Sequence, residues 1–361
     1  MKLIKLSALL ALSVPISLFA QVAPQLPTNL PNVTTSQVPP AGFNALTASE
    51  ATLQQYGYPP NPGPLSAAYA GWAKAVSAPQ TRVEHPILEM TDMQAGPCKG
   101  FKELPSANKE GEEGGTVSAF RLGTTNNWSG FVVLAPTLRP FGGNNPGLGI
   151  VYGYWVVPIA QQPFSRVGDG KVDLCLQWVG IDGAGGSSDV LQAGTATGAF
   201  ANSSGAKQAL YAAWIEWFPF NVFDIMNFPI GPGEEIFCEV WNTSPTVGHA
   251  FFVDFSRNSS LKVAFSAPQN VRLVGNCAEW IVERPSSSSG LSTLTNYVAC
   301  PWDNCVAVGS VGAKYNAVYF PATTNAQVLN LTMLDDAGNG ISRANLQGLY
   351  DLWFRNFGSS H

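Results

Sequence analysis

Two stretches decide how this chain is read. One is WVGIDGAGGSSDVLQAG, Trp178 to Gly194; the other is CAEWIVERP, Cys277 to Pro285. In both, aliphatic, β-branched and aromatic residues run in short strand-length segments, and a Gly/Ser/Asp cluster breaks the first in the middle as a turn would. The same punctuation continues outward. Strand candidates are Gly130 to Leu134, Val151 to Val157, Val172 to Ile181, Leu210 to Phe218, Glu235 to Trp241, Ala250 to Phe255, Leu261 to Phe265 and Ala278 to Glu283. Ala317 to Phe320, Gln327 to Leu334 and Ile341 to Asn345 close the series, with Asp336 to Gly340 as a hairpin turn. Leu346 to Phe357 suits either a helix or a last strand. No long amphipathic helix separates the strands, so parallel βαβ architecture is not expected. The expected fold is all-β: an antiparallel two-sheet β-sandwich of concanavalin or jelly-roll type.

The first third of the chain differs. Met1-Lys2-Leu3-Ile4-Lys5 is a basic start, Leu6 to Phe19 is apolar, and Ala20 offers a small residue for cleavage, so residues 1–20 read as a secretory signal too short for a comfortable membrane span. Residues 21–115 read as an N-terminal extension or prosegment. A Pro/Thr/Val-rich linker is followed by a capping signal at Thr47-Ala48-Ser49-Glu50 that predicts a helix to Gln55. Ser66 to Val76 carries apolar residues at helical spacing. Glu103 to Gly115 is polar and Gly/Glu-rich, which suits an exposed, cleavable hinge. Residues 116–361 are then the β-sandwich domain.

Bulk composition narrows the function. Only 12% of the 361 residues are charged, the formal charge is −5, and no basic run exists, which argues against nucleic acid. Few ion pairs also means little to lose when carboxylates protonate, so tolerance of low pH is expected. Six cysteines in an exported chain suggest disulfides, with Cys300 and Cys305 placed to close a small loop. No CxxC or CxH spacing supports a metal site.

Alternation along a strand sorts side chains by face. Glu279, Ile281 and Glu283 share one face of their segment, Ala212, Trp214 and Glu216 share one face of Tyr211 to Phe218, and Gln192 points opposite to Leu191. One concave face could therefore collect Gln192, Trp214, Glu216, Glu279 and Glu283 as a groove walled by aromatics. A carboxylate and a primary amide are sufficient to hydrolyse a peptide bond, one taking a proton from water, the other donating N–H to the oxyanion. Spacing alone does not choose among Glu283, Glu279 and Glu216 as the base.

Four segments taken in order resemble the glutamic peptidases (eqolisins). They are Asn127-Trp128-Ser129-Gly130, Trp178 to Gly183 followed by Leu191 to Gly194, Tyr211 to Pro219, and Ala278 to Glu283. The resemblance covers roughly Asn126 to Ala344. It implies a bent sandwich of two long antiparallel sheets, Glu283 as the base that activates water and Gln192 as the group that orients that water and stabilises the oxyanion. It also implies that Trp128, Trp178, Asp182, Trp214 and Glu216 line the cleft, with Glu279 beside them, and that no cofactor or metal is needed. Two acids of the family's pattern are replaced by Ala212 and Ala196, and the family's disulfide after WVGIDG has no counterpart between Gly185 and Asp189.

The expected function is thus that of a secreted, extracellular or periplasmic, acid endopeptidase. It would act as a monomer on protein or peptide substrates, with no membrane partner once the signal is removed. Other protease chemistries fit poorly. The three histidines, His85, His249 and His361, accompany neither a GxSxG elbow nor an HExxH helix. The competing readings are a glycosidase using Glu216 and Glu283 as paired carboxylates and a carbohydrate-binding module using the same aromatic face. Asn32, Asn127, Asn202, Asn242, Asn258 and Asn330 fit the glycosylation sequon.

Overall fold

The computed structural model describes residues 25–78, 81–105, 120–134, 148–161, 172–201, 207–311, 314–323 and 327–357. The signal-like start, the hinge beyond Pro105, Asn202 and His361 lie outside the described residues. The rest is mostly strand, as the turn-punctuated pattern predicts. Five neighbouring antiparallel strands form the part that matters for chemistry. In spatial order they are Trp128–Leu134, Cys277–Glu283, Asp173–Ile181, Leu191–Ala201 and Lys207–Trp217. Among the described residues the ladders do not separate into two sheets. They link all strands but a small Ser286–Ser287/Gly290–Leu291 ribbon into one continuous sheet.

The main core lies on one face of those strands. Ala278, Trp280 and Val282 point into it with Val179, Ile181, Leu191, Ile215 and Trp217, while Trp155 and Trp302 stack at 4.5 Å. The other face carries a smaller cluster, including Trp128, Trp178, Trp214 and Ile281. The tail, open between helix and strand on sequence, is the strand Leu352–Asn356 paired with Gly340–Leu346. Its alternate residues Leu352 and Phe354 are both buried, a period of two that a helix could not satisfy. The hairpin before it turns on Asp335, whose carboxylate accepts the N–H groups of Ala337 and Asn339 at 2.9 and 2.8 Å.

The N-terminal region is part of the body rather than a loose extension. Ser49 caps the helix Glu50–Gln55 by accepting the N–H of Thr52 at 3.2 Å. A second helix, Tyr69–Ser77, buries Trp72, Ala75 and Val76 against Tyr152, Tyr154 and Phe237. Tyr152 and Tyr154 donate their hydroxyls to the carbonyls of Ala68 and Gly71 at 2.7 and 2.6 Å. Gly71 permits that approach, since a Cβ there would lie 2.9 Å from the Tyr152 ring. Val33–Thr35 and Thr81–Val83 both pair with Ser259–Ser266, and Leu88–Met90 pairs with Phe223–Ile225.

The disulfide expectation is corrected. All six cysteines are free thiols; Cys300, for example, donates to the Val156 carbonyl at 3.3 Å and accepts from the Trp302 indole at 3.2 Å. Five are buried, and burial raises their pKa, which leaves them as small inert core residues. Of the sequons, Asn127 and Asn242 are buried, so the folded chain offers neither to a glycan.

Glu239 points to the same side as Phe237 and Trp241, beneath the second helix, and neither of its carboxylate oxygens has a hydrogen-bond partner. Burial pushes its pKa well above 4.5. The unfolded chain releases that proton near 4.5 while the folded chain keeps it, so stability falls as pH rises above that value. The expected loss is about 1.4 kcal/mol per pH unit until the folded pKa is reached. Glu239→Gln removes this slope: its unfolding midpoint, measured from pH 3 to 7 (a range spanning carboxylate titration), should match wild type at the acid end and exceed it at neutral pH.

Candidate active site

The minor-cluster face of the five strands is where the sequence-predicted residues meet. Register fixes their positions. Gln192 lies opposite Glu216 on one side and Gly180 on the other, and Gly180 lies opposite Glu279. Glu283 lies opposite Leu176 and Trp128, four residues farther along its strand. Gln192, Glu216, Glu279 and Glu283 are all buried, as are Trp128, Trp178 and Trp214.

Trp178 spans the gap between the two levels. Its indole lies over Gly180, where a Cβ would come 2.6 Å from ring atom Cζ3, and its Nε1–H donates to Glu283 Oε2 at 2.9 Å. Glycine at 180 is therefore what lets the ring lie along the sheet and reach the carboxylate. The other oxygen, Glu283 Oε1, accepts from Asn127 Nδ2 at 3.0 Å. Trp128 packs edge-on against Trp178 at 5.0 Å and completes the pocket. Each oxygen of Glu283 thus has its own N–H donor.

Gln192 has no hydrogen bond to Glu283 among the described residues. Its Nε2 donates to Glu216 Oε2 at 2.9 Å and also to the carbonyl of Ala95. Its Oε1 is buried with no partner. Ala95 belongs to a length of the N-terminal region that crosses the face. The Ala95 N–H donates to Glu216 Oε2 at 3.0 Å, the Trp128 indole donates to the Gly96 carbonyl at 3.1 Å, and Asn127 Nδ2 donates to the Pro97 carbonyl at 3.1 Å. The cleft continues on both sides of this cover. A volume of about 750 Å³ lies by Met93, Leu174 and Pro285, and one of about 420 Å³ by Cys98, Gly183 and Leu329.

The electrostatics follow from this burial. Burial is the main cause that raises the pKa of Glu283, while the N–H groups of Asn127 and Trp178 and the charge of Lys99 pull it down. Glu216 is raised by burial and then by the Glu283 charge; its hydrogen bonds from Ala95 and Gln192 oppose this. Glu279 is raised by burial, which the neighbouring Cys277 thiol opposes. Lys99 is the nearby cation, its ammonium held on the Ser286 hydroxyl at 2.9 Å.

Not every predicted residue faces the cleft. Asp182 sits in a left-handed turn (φ 72°), and its carboxylate accepts three backbone N–H groups, from Val274, Gly275 and Asn276 at 2.6, 3.0 and 3.0 Å. It clamps the 274–276 loop onto the turn, and burial raises its pKa to about 6. Asn127 was legible in the Asn127-Trp128-Ser129-Gly130 motif but only as part of a strand opening. Its role as donor to Glu283 follows from strand pairing across 156 residues. The crossing segment Gln94 to Lys99 gave no sequence signal beyond a cysteine ahead of the body.

A sequence profile described as the Peptidase A4 family matches residues 126–339. Aspergillopepsin-2 of Aspergillus niger is 27% identical over 229 residues, covering 58% of this chain and 76% of that protein. Among solved structures, scytalido-glutamic peptidase with a transition state analog inhibitor matches with TM-score 0.47 and 20% identity, covering 64% of this chain and 98% of that one. Aspergilloglutamic peptidase from Aspergillus niger matches with TM-score 0.43 and 22% identity, covering 51% and 99%.

Trp178→Phe removes the N–H and replaces the indole with a smaller phenyl ring. A buried carboxyl oxygen left without its donor costs about 1–3 kcal/mol, and the space left by the lost ring adds to that. Denaturant unfolding at fixed pH should show a loss of at least that size, and a change near zero would mean the contact contributes nothing to the folded state.

Proposed function

The chain belongs to the Peptidase A4 family and is a glutamic-type peptide-bond hydrolase, and we propose that it is an acid endopeptidase in which Glu283 and Gln192 are the working pair. The observation that carries this reading is a peptide segment lying on Gln192 and on residues beside Glu283. The Ala95 carbonyl accepts the Gln192 amide N–H, and the next two carbonyls lie on Trp128 and Asn127, the second of which also holds Glu283. In this reading Glu283 takes a proton from the attacking water, and Gln192 Nε2–H stabilises the oxyanion. Trp178 and Asn127 fix the carboxylate so that no reorganisation is needed as charge develops.

Acid dependence has a physical basis at the site. Glu283 must be ionised to act as base. With the crossing segment in place, burial opposes ionisation; once the cleft is uncovered, water relieves that cost while both N–H donors remain, so the carboxyl ionises at lower pH. Glu216 sets the upper limit. It accepts one of the two N–H groups of Gln192 and leaves the other to serve the oxyanion. Once ionised, it places a negative charge beside the developing one. The losses at Ala212 and Ala196, where the family's pattern has acids, leave Glu216 as the carboxyl hydrogen-bonded to Gln192.

Membership of a peptidase family sets aside the carbohydrate-binding reading. It sets aside the glycosidase reading as well. The signal-like residues 1–20 support an exported protein acting outside the cell or in the periplasm.

Cleavage of denatured casein across pH 2 to 7, a range around carboxylate titration, tests the pair. Glu283→Gln and Gln192→Ala, each shown to fold, should lose at least about 100-fold in kcat/KM. Full activity in either variant overturns the assignment. Glu216→Gln should keep activity and move its fall-off at the upper end by about one pH unit towards neutral. Chelators and serine-reactive inhibitors should leave activity unchanged.

A further inference from the structure

Outside the cleft, the N-terminal region covers a group of cations. Lys262 alternates with Leu261 and Val263, which enter the main core, so it points to the opposite side of its strand. It is 2% exposed. Its ammonium lies 3.1 Å from the centre of the Tyr58 ring and 5.9 Å from that of Phe251, and among the described residues no acceptor is hydrogen-bonded to it. His249, on the adjacent strand, is 8% exposed and stacks on Trp241 at 4.9 Å, while its Nε2 meets the Thr243 hydroxyl at 2.9 Å. Arg82 joins from the N-terminal region. Its guanidinium donates to the carbonyls of Gln37 and Ser36 and to the hydroxyls of Thr35 and Ser36, and its Nε is buried with no partner.

Lys262 and His249 line one small cavity with Gln25, Ser36 and Gly57, and no carboxyl lines it. Its volume is about 10 Å³, room for one guest the size of a water molecule. A larger cavity of about 420 Å³ adjoins it, sharing Gly57 and His249. The Ser36 hydroxyl is occupied by the Tyr56 carbonyl at 2.8 Å, so the charged donors at the small cavity are Lys262 and His249. The acids of this region stand elsewhere. Glu84 is exposed and acts on Arg82. Glu50 lines the larger cavity and accepts the Asn61 N–H at 3.1 Å. Glu239 is level with Lys262 but two strands away, with Phe251 on the strand between. Buried positive charge without a counter-charge is costly. We propose that the small cavity is a halide site, in which one chloride sits between the Lys262 ammonium and the His249 ring and holds the N-terminal region to the body in acid.

The cavity selects the guest. A single-atom anion fits it, whereas sulfate, phosphate and carboxylates carry several heavy atoms. Acid dependence follows from the two walls. Burial and then the Arg82 charge pull the Lys262 pKa down, and burial brings that of His249 to about 4. A basic group whose folded pKa is depressed weakens the fold as pH falls, because the unfolded chain takes the proton first. A chloride beside both groups favours their charged forms and moves that loss to lower pH. Halide affinity therefore rises as pH falls from about 6.5, the ordinary histidine value, towards 4. The guest also joins two parts of the chain, since Ser36, Gly57 and Tyr58 come from the N-terminal region and His249 and Lys262 from the body. The site is separate from Glu283 and Gln192 and stands or falls without them.

The test compares thermal unfolding of the full-length chain in sodium chloride and in sodium methanesulfonate, a larger anion, at equal ionic strength. It is run at about pH 4 and about pH 7, either side of histidine titration. In acid the midpoint should be higher in chloride and rise by about 3 °C for each tenfold increase once chloride exceeds its Kd. The gain should be smaller at neutral pH. Bromide should replace chloride, and its anomalous scattering in a soaked crystal should place one ion between Lys262 and His249. Lys262→Met, similar in length and uncharged, should give equal midpoints in the two salts. His249→Gln should keep a chloride response and lose most of its dependence on pH. Equal midpoints of the wild type in both salts in acid overturn the site, as does a chloride response retained in Lys262→Met. If that variant does not fold, the bromide position decides, and an ion found only elsewhere overturns the assignment.

Discussion

The arrangement depends on one buried carboxyl with two fixed donors. Glu283 lies in a pocket of indole rings, and its two oxygens meet the side-chain N–H groups of Asn127 and Trp178. Such a group is costly to bury, and pairing of both oxygens offsets much of that cost. That requirement explains much around it. Glycine at 180 gives the Trp178 ring room to reach along the sheet, Trp128 closes the pocket edge-on, and Asn127 is held from the other side by the Lys99 N–H. The strand order that puts Trp128–Leu134 beside Cys277–Glu283 supplies the frame.

The same economy of charge marks the whole chain. Glu216, Glu239, Glu279 and Glu283 are buried carboxyls whose pKa values all move upward. Each folds most easily when protonated, so each favours the native state in acid and weakens it towards neutral pH. A composition with 12% charged residues thus describes more than a sparse surface. Several of its acids sit inside, where low pH neutralises them. The N-terminal region belongs to this design, because its second helix covers Glu239 and its Gln94 to Lys99 run covers the cleft.

Much of this was legible in the residues. Turn-punctuated strands, the hairpin at Asp335 to Gly340, the cap at Ser49 and the shared face of Glu279, Ile281 and Glu283 are local features, set by period and by turn chemistry. Where local signals were ambiguous, packing decided. The tail became a strand because Leu352 and Phe354 found the core on one side. The cysteines are free thiols, and five of the six are buried in the fold. Asp182, grouped with the cleft on family likeness, closes a loop instead, because its left-handed turn aims the carboxylate at three backbone N–H groups.

The sequence by itself determined the strands, their faces and the small set of acids, amide and indoles from which the chemistry is drawn, since alternation and turn residues act over a few positions. The tertiary structure alone decided which of them meet. Register set Gln192 level with Gly180 and Glu216, a glycine let an indole bridge to Glu283, and pairing across 156 residues made Asn127 a donor to that carboxylate. It also laid Ala95 on Gln192, 97 residues apart along the chain. Contacts of that range depend on how the whole sheet closes and on where buried polar groups find partners, and no local pattern in the chain encodes them.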